Sequence, residues 1–300
     1  MKVAVIGLGR MGLGIALRLL KAGHEVYGHD VDEANARQAQ THGVTMVTHL
    51  AQLAQTVRIV WLMVPAGTVV DQVLQELILV MRKDDIVIDG GNSHFTDSIK
   101  RAQLLTGLGV YYLDCGTSGG LHGTQSGYCL MIGGAAVAYE RVLPLLHAIA
   151  APGGVALVGP SGAGHYVKMV HNGIEYGLLQ AYAEGFELLR EGTFKQVPLD
   201  LAAVAHLWQH GAVIRSWLLE LASQVLSHDQ RLHDIKGIVQ EGGTGAWCLQ
   251  DAKSNNIPMP ALATSLQVRT ASRTTGGSYA TKIIALLRNA FGGHKVITQD

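Results

Sequence analysis

The feature that most limits what this chain can fold into lies within its first 30 residues. "VAVIGLGRMG" is a β-rich apolar run closed by Gly7, Gly9 and Gly12, a G-x-G-x-x-G spacing. "MGLGIALRLLKAG" follows with Ile15, Leu19 and Leu20 at helical spacing and ends at Gly23, a natural helix stop. "HEVYGHD" then reads as a second strand closing on Asp30. A glycine triplet alone is a weak signal. A strand, triplet, helix and second strand in that order make a βαβ dinucleotide-binding unit. Gly7 permits the tight turn, Gly9 lets the backbone approach a pyrophosphate, and Gly12 allows close helix-strand packing. The helix N-terminus then faces the phosphates. Leu8, Arg10 and Met11 fill the same loop and join the glycines as expected cofactor contacts.

Asp30 stands roughly 20 residues beyond the triplet, where a carboxylate accepts hydrogen bonds from an adenosine ribose. A 2'-phosphate there would meet a negative charge, and "GHDVDEANARQ" offers no arginine before Arg37. NAD is therefore expected, with NADP bound more weakly. A competing reading makes Asp30 a cap for the helix that begins near Asp32.

The α/β rhythm continues through "RIVWLMVP", "DIVIDGGNS", "VYYLD", "YCLMIGG" and "VALVG", with helical segments between most of them. Such alternation predicts a mostly parallel, doubly wound, Rossmann-like sheet with its ligand crevice at the carboxyl ends of the strands. That rule gathers "MVPAG" with Val64 and Pro65, "GGNS" with Asn92, and "GTSGG" with Ser118, Gly119 and Gly120 around one cofactor.

The Gly/Pro-rich span 152–164 reads as a junction, giving a dinucleotide-binding domain over 1–160 and a smaller all-α domain over 161–300. One long helix fits "HYVKMVHNGIEYGLLQAYAEGFELLREG". A second is expected from the N-cap Asp200 to about Leu226. In "KMVHNGIEYG", Lys168 and Glu175 fall about 20° apart around the helix and roughly 10 Å apart along it. His171 and Asn172 lie on the same stripe. It is either ordinary surface decoration or, behind a cofactor domain, the base and substrate clamp a dehydrogenase needs.

Composition narrows the partners. The 23 basic and 23 acidic side chains cancel, which removes the case for nucleic acid or an anionic membrane. Apolar residues at 48% against 15% charged suggest surface hidden in an oligomer. No run approaches the roughly 18 apolar residues that cross a bilayer. The three cysteines form no CxxC pair and read as reduced small hydrophobes. A cytoplasmic protein is expected. Fourteen histidines raise the question of a metal, but neither HExxH nor a carboxylate cage is present, and none is expected.

With "GLGRMG", "DGGNS", "SGG" at 118–120, "GAGHYVKMVHNGIEYG" and the closing "RNAFGGH" taken together, the chain resembles the decarboxylating 6-phosphogluconate dehydrogenase family, within the β-hydroxyacid dehydrogenases. The resemblance runs from residue 7 to 294 and points to the family's short form. It implies Lys168 as general base and Glu175 as general acid. It also implies Asn92, Ser118, Gly119, Gly120, His171, Asn172 and Tyr176 as substrate contacts, and Arg269 with nearby Thr244 at the substrate phosphate. Arg288 and His294 match tail residues that a second subunit inserts into its neighbour's site, so a homodimer or homotetramer is implied.

The implied reaction converts 6-phosphogluconate to ribulose 5-phosphate and CO2 with reduction of NAD, a step of the pentose phosphate pathway and gluconate utilization. Lys168, its pKa lowered by burial beside the cofactor, would take the C3 hydroxyl proton, and Glu175 would later protonate C1. The chain departs from the long form at Gly242, where that form has a phosphate-binding lysine, and at Leu121, where it has an acid. These departures keep a second reading open: a β-hydroxyacid dehydrogenase acting without decarboxylation on an unphosphorylated sugar acid or small 3-hydroxy acid.

Overall fold

The computed structural model describes residues 1–240 and 242–299. The chain divides into two compact units, Met1–Lys168 and Met169–Asp300. The first carries strands β1 (Lys2–Ile6), β2 (Glu25–His29), β3 (Thr45–Met46), β4 (Ile59–Leu62), β5 (Ile86–Asp89), β6 (Tyr111–Ser118), β7 (Tyr128–Gly133) and β8 (Ala150–Gly159). Helices α1 (Arg10–Lys21), α2 (Glu33–Thr41), α3 (Thr68–Ile78), α4 (Phe95–Gly107), α5 (Gly123–Ser126) and α6 (Ala136–Ile149) fall between them.

Among the described residues the strands make one sheet in the order β3-β2-β1-β4-β5-β6-β7-β8. Every pairing is parallel except β6 with β7, as the alternating pattern predicts. Period-two alternation assigns side chains to two cores. In β1, Val3 and Val5 join one core while Ala4 and Ile6 join the other; in β4, Ile59 and Trp61 oppose Val60 and Leu62. Both faces are therefore covered, which is why these strands read as unbroken apolar runs. The strand order reverses beside β1, and the carboxyl ends there form a ligand crevice.

The second unit is helical. It continues α7 (Ala163–Glu191), whose first turns belong to the sheet unit, and adds α8 (Leu201–Trp208), α9 (Trp217–His228), α10 (Thr244–Ser254), α11 (Pro260–Thr275) and α12 (Tyr279–Gly292). Leu179, Phe186, Leu219, Leu226, Ile283 and Ile284 anchor its core.

The expected single helix from Asp200 to Leu226 is broken into α8 and α9. Asp200 caps α8 as expected, accepting from Ala203 N–H at 3.0 Å. Gly211 then takes φ +90°. Ser216 restarts the helix by accepting from Leu219 N–H at 3.1 Å, and Tyr182 Oη donates to Ile214 O at 2.5 Å, holding the intervening loop. Ala212, Val213 and Ile214 keep the segment apolar in the sequence, yet Val213 and Ile214 are exposed in the loop; only the glycine marks the stop.

Candidate active site

The turn between β1 and α1 has the geometry its glycines require. Gly7 sits at φ +87°, and a Cβ there would lie 2.6 Å from the carbonyl oxygen of Met63. A Cβ on Gly12 would overlap the Gly7 carbonyl, whereas one on Gly9 meets nothing within 4 Å. Gly9 thus opens onto space that a pyrophosphate can enter, and α1 has no acidic residue in its first turn to repel one. Beside this turn is a cleft of about 800 Å3 lined by Gly7, Gly9, Met11, Asp30, Val64, Pro65 and Asn92. Leu8, Arg10 and Gly12 do not line it. Leu8 is 1% exposed and packs in the core, while its N–H donates to Asp30 Oδ2 at 2.6 Å.

Asp30 therefore ties the end of β2 to the glycine loop. Its Oδ1 accepts from Asp32 N–H at 2.8 Å, and Asn35 Nδ2 donates to Oδ2 at 3.3 Å. The cap of α2 is Asp32, which accepts from Ala34 N–H at 2.8 Å, so Asp30 is not the helix cap. Sequence reasoning missed Asn35 and the face of α3 that carries Val69, Gln72, Val73 and Glu76 into the cleft. Their spacing is helical in the sequence, yet which face meets a ligand depends on how α3 docks.

The loop after β5 is held from below. Asp89, fully buried, accepts from Gly91 N–H at 3.1 Å, Ser93 Oγ at 2.7 Å and Tyr112 Oη at 2.8 Å. Burial first, and the Asp89 carboxylate second, push the Tyr112 phenol well above its ordinary pKa, so it remains a neutral donor. This frame leaves Asn92 exposed at the lip of the cleft.

Helix α7 begins against β6. Asp114 accepts from Gly162 N–H at 2.6 Å and His165 N–H at 2.9 Å, occupying helix-end donors that otherwise have no partner in the helix. The buried ring of His165 meets Ser98 Oγ at 2.7 Å through Nδ1. A Cβ on Gly116 would lie 2.5 Å from Lys168 Cβ and 2.6 Å from Gly164 O, so the lysine's backbone rests directly on β6. The next β6 residue, Thr117, lines the cleft and donates to Gly90 O at 3.3 Å. Ser118, Gly119 and Gly120 close the strand, half-buried, with Gly119 and Gly120 at positive φ. Lys168 thus sits against the strand residue next to the cleft-lining Thr117, while Lys168, Ser118, Gly119 and Gly120 do not themselves line the cleft.

Along α7, Lys168, His171, Asn172 and Glu175 are all half-buried, and Tyr176 is 6% exposed. His171 Nδ1 and Asn172 Oδ1 stand 3.1 Å apart. An ordinary solvated stripe would be exposed throughout; this one is not.

In the helical unit Arg269 is fully buried, with its guanidinium carbon 3.4 Å from the centre of the Tyr176 ring. A Cβ on Gly245 would meet that ring at 2.5 Å, so the start of α10, which also carries buried Thr244, packs against the tyrosine. The structure thus joins Tyr176, Thr244 and Arg269. A Cβ on Gly242 would meet nothing within 4 Å.

Phe291 is partly buried against the helical core, because α12 presents it on the face that carries Ile284 and Leu287. Arg288 is 6% exposed and donates through Nη1 to Gln240 O. His294 O accepts from Asn289 Nδ2 at 2.8 Å. Residues 297–299 run beside 234–236 of the same chain, joined by Lys236 N–H to Ile297 O and Gln299 N–H to Asp234 O, both 2.8 Å. Among the described residues no helix is long and apolar enough to cross a membrane.

Two family models cover the chain: the NAD binding domain of 6-phosphogluconate dehydrogenase matches residues 2–167, and the 6-phosphogluconate dehydrogenase C-terminal domain matches 164–295. The chain belongs to the 6-phosphogluconate dehydrogenase family. A relative from Haloferax volcanii, named as an NAD(+)-dependent, decarboxylating 6-phosphogluconate dehydrogenase, is 44% identical over the whole of both chains. The solved Plasmodium falciparum 6-phosphogluconate dehydrogenase superposes with a TM-score of 0.82 at 30% identity, over 91% of this chain and 62% of that one. The 3-hydroxyisobutyrate dehydrogenase of Salmonella typhimurium superposes with a TM-score of 0.77 at 24% identity, covering 94% of this chain and 99% of that one; this likeness concerns the fold. Family membership makes the chain an oxidoreductase with an NAD-binding first domain and a helical second one.

Proposed function

We propose that this enzyme converts 6-phosphogluconate to ribulose 5-phosphate and CO2, using NAD in preference to NADP. The observation that carries the reading is the seat of Lys168 on Gly116, one residue from the cleft-lining Thr117, with Glu175 seven residues further along the same half-buried helical stripe. Gly7, Gly9, Asp30, Val64, Pro65 and Asn92 would hold NAD, which when bound supplies the acceptor for the two electrons and hydrogen leaving C3. Lys168, neutral at the outset, takes the C3 hydroxyl proton as that carbon becomes a ketone. The carboxylate is then β to a carbonyl, so the C1–C2 bond can break with its electron pair retained as an enol. The lysine, now an ammonium, stabilises the developing oxygen charge at C3 without a metal. CO2 departs, and Glu175 delivers a proton to the carbon that held it.

The phosphate falls to Arg269, oriented by its stack on Tyr176, with Thr244 beside it. Asp30 supports the choice of NAD, since its carboxylate faces the cleft where a 2'-phosphate would have to lie. The space at Gly242 favours a relaxed demand for phosphate and keeps a non-decarboxylating sugar-acid dehydrogenase as the second reading. A steady-state assay of 6-phosphogluconate against gluconate, each with NAD and NADP and with CO2 collected, separates the two. Turnover of 6-phosphogluconate without CO2 would refute the first.

The same reading makes the enzyme a cytoplasmic homo-oligomer. Leu188, Phe194, Leu207 and Val213 are each at least 61% exposed on the helical unit, which supports their being covered by another copy. Exchange of Arg288 and His294 into a neighbour has to compete with the contacts they make in their own chain. Mixing a chain cut after residue 285 with a Lys168→Ala chain tests it: regained activity is expected from exchange, and none from a tail serving its own subunit.

A further inference from the structure

We propose that Arg101 is a positioning residue for the dinucleotide cleft, fastening the loop after β4 to the loop after β5 so that Val64, Pro65 and Asn92 face the cofactor as one edge. This rests on the reading that the cleft takes NAD. Arg101 lies on α4, outside the cleft lining, and is 4% exposed. Its three guanidinium nitrogens reach both loops. Nε donates to Asp71 Oδ1 at 2.7 Å, in the first turn of α3, and Nη2 donates to the Gly67 carbonyl at 3.0 Å, the N-cap of that helix. Nη1 donates to Ser93 Oγ at 3.1 Å and lies 3.5 Å from Asp89 Oδ2.

The first two partners close the segment 63–67, and the last two close the segment 89–93. Each segment sends residues into the cleft on its other side: Met63, Val64 and Pro65 from one, Gly90, Gly91 and Asn92 from the other. A planar fork with fixed donor directions can bridge partners this far apart in the chain, whereas a single ammonium cannot reach all of them at once. The charge is also matched, since the cation faces the fully buried Asp89 carboxylate on one side and Asp71 on the other. In the sequence "SIKRAQLL" the residue looks like one more surface charge of an amphipathic helix.

NADH binding followed by its fluorescence, measured beside thermal unfolding, separates positioning from plain structural support. Arg101→Gln should raise the NADH Kd about tenfold or more, the order of loss seen when a partner that orients site residues without touching the ligand is removed. Arg101→Lys should fall between it and wild type. Asp71→Ala removes only the arm whose carboxylate is 51% exposed, and should raise the Kd less with a Tm near wild type. In Arg101→Ala, millimolar guanidinium ion should restore part of the NADH affinity. If the Arg101 variants unfold at lower temperature yet bind NADH with the wild-type Kd when folded, the residue is structural only and the proposal fails. Should none of the Arg101 variants fold, an unchanged Kd in Asp71→Ala overturns it. Wild type that binds no NADH would instead remove the cofactor reading, and the clamp with it.

Discussion

Replacing Gly116 by alanine should damage catalysis far more than cofactor binding. The added methyl would stand 2.5 Å from Lys168 Cβ and 2.6 Å from Gly164 O, against the roughly 3.5–4.0 Å at which such atoms rest. Neither neighbour can rotate away, because one is fixed by its own backbone and the other is backbone. Either β6 or the start of α7 must therefore move by about 1 Å. Overpacking of this kind costs about 1–3 kcal/mol of stability. A displacement of about 1 Å at a catalytic group lowers turnover on the order of a hundredfold. The assay is kcat with both substrates saturating, beside the NADH Kd and Tm of the same preparation. The Kd should hold, since the pyrophosphate turn at Gly7 and Gly9 lies at the end of a different strand. Gly107→Ala is the control, because a Cβ there meets nothing within 4 Å, and it should change none of the three. A Gly116→Ala enzyme with kcat close to wild type would refute the placement of Lys168 argued above.

Lys168→Ala should lose about a hundred- to ten-thousandfold in kcat while still binding NADH, and Lys168→Arg should do no better because a guanidinium does not give up its proton; rapid turnover by either removes the lysine from the role of base. Replacing Asp30 by Gly together with Val31→Arg should raise NADP activity relative to NAD by about tenfold or more, since Val31 is 94% exposed and leaves an arginine free to meet a 2'-phosphate. A wild-type enzyme that already prefers NADP would show the Asp30 argument to be wrong. Of the three thiols, exposed Cys129 should react with a disulfide reagent in the native protein. Cys115, whose burial pushes its pKa up to about 12, and buried Cys248 should stay silent until unfolding; fast native labelling of Cys115 would contradict its place in the sheet core.

The parts of the site that were legible in the sequence are those whose geometry is local. The glycine turn needs only the positive φ of Gly7 and the missing side chains of Gly9 and Gly12, and these follow from residues a few positions apart. The stripe of Lys168, Asn172 and Glu175 follows from helical periodicity alone. The family resemblance then assigned roles that spacing could not. The break between α8 and α9 was hidden because Ala212, Val213 and Ile214 keep the segment apolar although Val213 and Ile214 are exposed, and an apolar pattern does not say where helical hydrogen bonding stops. Arg101 and Asp114 carried no readable signal, and Gly116 was legible only as the start of the turn "GTSGG", not as the seat of Lys168. Arg101 joins partners 8, 30 and 34 residues away, and Asp114 caps a helix 48 to 51 residues further on. Their neighbours are fixed by which strands lie side by side in the sheet. That order is set by packing of both faces against helices, a balance spread over the whole chain, so only the folded molecule decides what these three residues touch.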